Sequence, residues 1–181
     1  DYGGGQVLNW GPHLVDAGLC FIASPVESVW TDLKRVAALG DAEDHVKIVM
    51  RGRNGRVVDL EVSGGVALPE PMYAVWGMRG ALVCDDKTVQ LRYLDPNVAL
   101  KDRQADPGTP GATFGTPEKL PWVEETRPVS PRVKSDISMI WDALYAAIRE
   151  DVPYPITLDH SVEVMRIISL AREGTAFDRP V

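Results

Sequence analysis

The sequence predicts an α+β domain: a mostly antiparallel β-sheet with helices packed on one face. Three observations carry that prediction. Apolar residues at 7, 8, 14, 15, 19 and 22 recur at helical spacing. Between Val46 and Tyr93, short alternating runs are separated by turns far too brief for the crossovers that parallel strands need. Two more helical patterns close the chain, and the order helix, sheet, helix, helix places the helices on one side of the sheet.

The first helix is opened by Gly3-Gly4-Gly5 and interrupted by Pro12. Asn9 as an N-cap would seek the N–H groups two or three residues on, and Pro12 has none. A helix starting near Gly5 and bent at Pro12 is equally compatible with the spacing. In that form Asn9 and His13 share one face, and Asp16 can reach His13 along the same stripe. A glycine-opened core helix with His13 hydrogen-bonded at its edge fits the pattern equally well.

After Ser24-Pro25, residues 29 to 36 alternate in the manner of a strand with mixed faces. Gly40 to Asp44 reads as a loop. Val46, Ile48 and Met50 then alternate with Lys47, Val49 and Arg51, and Val58, Leu60 and Val62 alternate with Asp59 and Glu61. Asn54-Gly55 between them predicts a hairpin over 45 to 63 with a type I′ turn. Pro69 and Pro71 precede three short strands, at Tyr73 to Trp76, Ala81 to Cys84 and Val89 to Tyr93.

From 95 to 133 the alternation stops, and half of the 14 prolines fall there. Stiff, proline-rich chain of this length reads as an arm across the sheet or a neighbouring subunit, in preference to a wall of the substrate cleft. Ser135-Asp136 opens a helix whose apolar stripe is Ile137, Ile140, Trp141, Leu144 and Ile148, ended by Pro153 and Pro155. Asp159 is the expected cap of the last helix, which carries Val164, Ile167, Ile168 and Ala171 and stops at Gly174. The open sheet face carries Lys47, Arg51, Asp59 and Glu61 beside Val49 and Val57, and by its residues alone reads as a solvated face, which antiparallel sheets tolerate.

With 181 residues and 45% apolar content, the chain can bury one core, so 1–181 is read as a single domain. A net charge of −7 argues against a nucleic-acid partner. No apolar run approaches the roughly 20 residues of a membrane span. Cys20 and Cys84 lie far apart in apolar contexts and read as reduced core thiols, which with the absence of a leader makes the cytoplasm the expected compartment. An export leader, if present, would lie upstream. His13, His45 and His160 are scattered without ligand spacing, so no metal is expected. His45 is expected to be exposed, and His160 to face solvent or another domain.

The residues Gly3-Gly4-Gly5, Asn9 and His13-Leu14-Val15-Asp16 resemble the opening motif of the C-terminal domain of the Gfo/Idh/MocA oxidoreductases, the glucose–fructose oxidoreductase and inositol dehydrogenase relatives. His45 to Asp85, with Asn54-Gly55 and Trp76-Gly77-Met78-Arg79-Gly80-Ala81-Leu82, is similar to that family's sheet. Trp141 to Gly174, with Pro153-Tyr154-Pro155, resembles its closing helices. The resemblance covers most of the chain except about 95 to 133.

The resemblance implies an NAD(P)-dependent oxidoreductase acting on a sugar, polyol or related hydroxylated compound. It makes His13 the catalytic acid/base and Asn9 the group that orients the substrate hydroxyl, and it makes the open sheet face an oligomer interface; Trp10 and Trp122 are further expected substrate-binding residues. Asn9 departs from the family, where the common residue is Asp, and lacks the charge that would assist His13. Asp16 is expected to brace the helix or His13. The family's N-terminal Rossmann domain and its Glu-Lys-Pro lysine are absent from this sequence. The chain is therefore expected to be a C-terminal substrate-binding and oligomerisation domain, inactive alone, with NAD or NADP bound elsewhere in the parent. A non-catalytic binding or assembly module of the same fold is the alternative. A cofactor-free hydrolase lacks a nucleophile near His13.

Overall fold

A computed structural model describes residues 5–100, 102, 119–130 and 138–174. Four helices and seven strands follow in the order α1 (Gly5–Asn9), α2 (Gly11–Ile22), β1 (Val26–Lys34), β2 (His45–Gly52), β3 (Val57–Ser63), β4 (Tyr73–Gly77), β5 (Gly80–Cys84), β6 (Thr88–Leu94), β7 (Trp122–Pro128), α3 (Ser138–Arg149) and α4 (Leu158–Gly174). The α+β class holds. The strands, however, form two antiparallel sheets, β1-β2-β3 and β4-β5-β6-β7, where the sequence predicts one. Pro69 and Pro71 fall between β3 and β4, where a missing N–H and a fixed φ discourage continued pairing.

The chain divides into two compact units, Asp1–Leu68 with Asp136–Val181, and Pro69–Ser135. In the first, the inner sheet face presents Leu33, Val46, Ile48 and Met50 to α2 and α4. Val7, Val15, Ile22, Val164, Ile167, Ile168 and Ala171 complete this core. The register follows the period-two pattern: Val46 faces Val62, Ile48 faces Leu60 and Met50 faces Val58. β1 begins three residues earlier than its alternation suggests, through a register shift between Val26 and Ser28.

The β2–β3 hairpin is present, but its turn is not type I′. Gly55 N–H donates to Gly52 O at 2.9 Å, and of the turn residues only Gly55 has positive φ, at 82°. Arg53 and Asn54 therefore form the ordinary turn and Gly55 supplies the left-handed residue of a bulge. Asn54 still acts, donating its amide to Ile22 O at 2.9 Å and tying the turn to the end of α2.

On the outer face, Lys47 lies 2.9 Å from Glu61 and 3.2 Å from Asp59, and Arg51 lies 3.3 Å from Glu27. The hydrogen bond that Lys47 donates to Glu61, reinforced by Asp59, holds the Lys47 ammonium above its ordinary pKa. Trp30, 56% exposed, stands opposite Val49 on the same face.

The second unit is a four-stranded meander. β7 lies inside the stretch read as an arm, paired from Leu94–Trp122 to Thr88–Pro128. Tyr93 donates its hydroxyl to Glu125, which lies 2.9 Å from Arg127 Nε; the Tyr93 and then Arg127 bonds hold the Glu125 carboxyl below its ordinary value. The expected cap of α3 at residues 135 and 136, its first stripe residue Ile137, and most of the remainder of the arm fall outside the described residues. Ile140, Trp141, Leu144 and Ile148 on α3 are exposed instead of packed into the core.

Helix α4 is capped by Thr157, not Asp159: its Oγ1 accepts the His160 N–H at 3.1 Å. Asp159 sits in the first turn, where its charge suits the helix dipole.

Candidate functional site

The glycine-led segment does not form one bent helix. Trp10 separates α1 from α2, with Trp10 N–H donating to Gln6 O at 2.8 Å and Leu14 N–H to Trp10 O at 3.1 Å. Pro12 occupies the first turn of α2, where its missing N–H is harmless. Asn9 is thus the last residue of α1, and Trp10, which makes no side-chain cap bond, stands in the N-cap position.

Val7, Gly11, Val15 and Gly18 face the core, which turns Asn9, Trp10 and His13 outward as exposed side chains. Trp10 and His13 meet edge to face, with ring centroids 6.1 Å apart at 67°. Gly11 is needed where it stands: a Cβ there would lie 2.7 Å from Ile168 Cδ1.

Asp16 does not brace His13. Its Oδ1 lies 2.6 Å from Nε2 of His160 on α4, and His160 is half-buried there instead of facing solvent. His45 is likewise half-buried, and Cys20 is exposed rather than a core thiol, because the face of α2 that carries it points away from the sheet. Trp122 belongs to the second unit, on β7, with the Arg92 guanidinium 5.2 Å from its ring centroid and Arg92 also 3.2 Å from Glu124.

Two residues that sequence reasoning passed over support this segment. Glu43, read as part of a loop, is 4% exposed and accepts the Val7 N–H at 2.8 Å, while its carbonyl takes the Gln6 N–H at 3.1 Å. It fixes the start of α1. His160 is the other. The shared signal was only a polar residue beside apolar ones, which does not distinguish a buried anchor from a solvated side chain.

Among the described residues no cluster of His, Cys, Asp or Glu could hold a metal ion. No helix among them is long and apolar enough to cross a membrane. Both sheets are antiparallel, so the described residues supply no parallel strand–helix–strand turn to cradle a dinucleotide pyrophosphate. They do not fit NAD or NADP. An open groove along α4, lined by Leu158, Ser161, Val162, Met165, Arg166 and Ser169, contains none of the residues proposed for the site.

Residues 1–83 match the family model described as the GFO/IDH/MocA C-terminal domain. No curated protein gives a significant match. Among solved structures, an NAD-binding protein from Listeria innocua is 22% identical, with 99% of this chain and 51% of that one covered at a TM-score of 0.71. The UDP-N-acetylglucosamine 3-dehydrogenase GnnA from Acidithiobacillus ferrooxidans is 18% identical, covering 93% and 48% at 0.63. The WlbA dehydrogenase from Bordetella pertussis, solved with NADH and UDP-GlcNAcA, is 15% identical, covering 96% and 46% at 0.51. The chain spans about half the length of each of these structures. Residues 1–83 are thus similar to the GFO/IDH/MocA C-terminal domain, and over nearly its whole length the chain shares its fold with about half of each of these solved structures.

Proposed function

We propose that this chain is the substrate-binding and oligomerisation domain of an NAD(P)-dependent oxidoreductase acting on a sugar, polyol or related hydroxylated compound. The observation that carries the reading is the outward projection of Asn9, Trp10 and His13 from a segment whose other side is locked into the core. A polar trio held exposed on a fixed backbone is available to a ligand and costs no core packing.

In this reading His13 takes the proton from a substrate hydroxyl as general base, and returns it in the reverse direction. Asn9, just before the break between the helices, hydrogen-bonds the hydroxyl and orients it. Trp10 steadies the imidazole edge to face and offers a flat apolar surface to a sugar ring. Trp122 is assigned to substrate binding as well. NAD or NADP, the hydride acceptor, is assigned to a Rossmann domain outside this segment, so this chain by itself is inactive. The outer face of β1-β2-β3 is assigned to pairing between subunits, and the protein to the cytoplasm.

The test is nicotinamide reduction by the intact protein across a panel of sugars, polyols and nucleotide sugars, wild type beside His13→Ala. Activity that disappears in the variant while fold and dinucleotide binding persist supports the assignment. A second reading, a non-catalytic module of the same fold, is favoured by one observation, the uncharged Asn9. Dinucleotide binding with no turnover of any substrate would select it.

A further inference from the structure

The pairing of Asp16 with His160 is not accounted for by the proposed chemistry, and neither residue is hydrogen-bonded to His13. Asp16 lies three residues beyond His13 on α2, so the two project from neighbouring turns of one face. The carboxylate accepts, which requires His160 Nε2 to carry the proton and donate across 2.6 Å. His160 is itself set in place because Thr157 Oγ1 holds its backbone N–H at 3.1 Å. Further along α4, Ile168 fills the space beside Gly11, so the helices also touch at the start of α2.

Among the described residues the His13 imidazole has no hydrogen-bond partner; its ring contact is with Trp10. The direction of its imidazole therefore depends on where α2 lies relative to Trp10, at the break between two helices. We propose that His160 is a positioning residue for His13: its hydrogen bond to Asp16 ties the His13-bearing turns of α2 to α4 and keeps the imidazole seated on Trp10. This rests on the functional reading above for its importance, but its test does not depend on turnover.

The chain has only three histidines, so their ring C–H resonances can be assigned in the intact protein by single substitutions. The Trp10 contact gives His13 a ring-current shift, which Trp10→Leu should abolish. Asp16→Ala and His160→Ala are each expected to remove most of that shift, and His160→Gln, whose amide reaches Asp16 much as Nε2 does, to restore it. An unchanged His13 resonance in both alanine variants overturns the proposal. So does an equal loss in His160→Gln and His160→Ala, which would mean that side-chain shape and not the hydrogen bond matters. If His160→Ala fails to fold, Asp16→Ala against His160→Gln makes the same comparison. Absence of turnover with an intact His13 shift pattern would sink the functional reading and leave this one standing.

Discussion

A Cβ added to Gly5 would lie 2.1 to 2.3 Å from the carboxyl atoms of Glu43. Gly5 also has φ of +67°, where a side chain is strained whatever the space. The glycine is thus required by a buried acid 38 residues away in sequence, and that acid in turn holds the Val7 N–H. Gly5→Ala is expected to cost about 2–4 kcal/mol, combining left-handed strain with displacement of a buried hydrogen-bonded carboxylate. Urea denaturation measures it; a loss no larger than that of an exposed surface substitution would refute the clamp.

Asp44, the next residue, performs a similar task outward. Its carboxylate accepts the N–H groups of Val36, Ala37 and Ala38 at 2.6, 2.8 and 2.7 Å. The Val36 bond, followed by those of Ala37 and Ala38 and opposed by desolvation, holds its pKa below the ordinary 3.8. A carboxyl with a lower pKa folded than unfolded adds stability fully present above the unfolded value. That stability is lost as pH falls from about 3.8 through the folded pKa. Stability curves of wild type and Asp44→Asn should therefore differ by a constant amount near neutrality and converge in acid. Parallel curves down to the lowest pH would contradict this.

Ala23 closes α2 in the left-handed region, φ 48° and ψ 41°, with its N–H on Leu19 O at 2.9 Å. Glycine is the residue this position favours. Relief of the Cβ strain outweighs the extra freedom glycine gives the unfolded chain, so Ala23→Gly should stabilise by about 0.5–1 kcal/mol. A raised thermal midpoint is the expected readout, and a lowered one would show that Ala23 packing matters more than its backbone.

Much of the first unit was legible because its pattern is local. The alternation of Val46, Ile48 and Met50 against Val58, Leu60 and Val62 gave the hairpin, and its buried face is the observed one. β7 was hidden because Pro121 and Pro128 bracket it. As an edge strand it tolerates a proline at its last position, where a central strand would lose a ladder bond. The division into two sheets was hidden too, since alternation identifies strands without saying which neighbours pair. At the site, spacing placed Asn9 and His13 on one face of a single helix, whereas they stand exposed on two helices divided at Trp10, a break that apolar periodicity does not mark. Glu43 on Val7 and His160 on Asp16 were hidden as well, because contacts 36 and 144 residues apart leave no mark on local periodicity.

Trp30 tests the outer sheet face. It is 56% exposed among charges that already pair within their own subunit, Lys47 with Glu61 and Asp59, and Arg51 with Glu27. Those pairs leave the face nearly self-neutral, so a partner would meet mainly the tryptophan and Val49. Trp30→Glu should convert the proposed oligomer to monomer while changing monomer stability by only about 1 kcal/mol. Sedimentation of both forms decides it, and an unchanged mass would remove this face from the interface.

Asn9 and His13 make the sharpest chemical test, because the two substitutions point in opposite directions. His13→Ala removes the proposed base and should lower kcat of the intact enzyme by about a hundred- to ten-thousand-fold. Asn9→Asp keeps the side-chain shape and places a carboxylate just ahead of the helix break, where its charge stabilises the imidazolium that forms as the hydroxyl proton arrives. An exposed pair of this kind is worth roughly 1 kcal/mol, so kcat should rise several-fold, up to about tenfold. Both residues are exposed, so neither change disturbs the core, and altered rates cannot be ascribed to unfolding once the thermal midpoint is matched. A His13→Ala enzyme that turns over normally would displace His13 from the chemistry. Turnover gained only in the Asn9→Asp variant would instead make the uncharged Asn9 the reason for a dormant site.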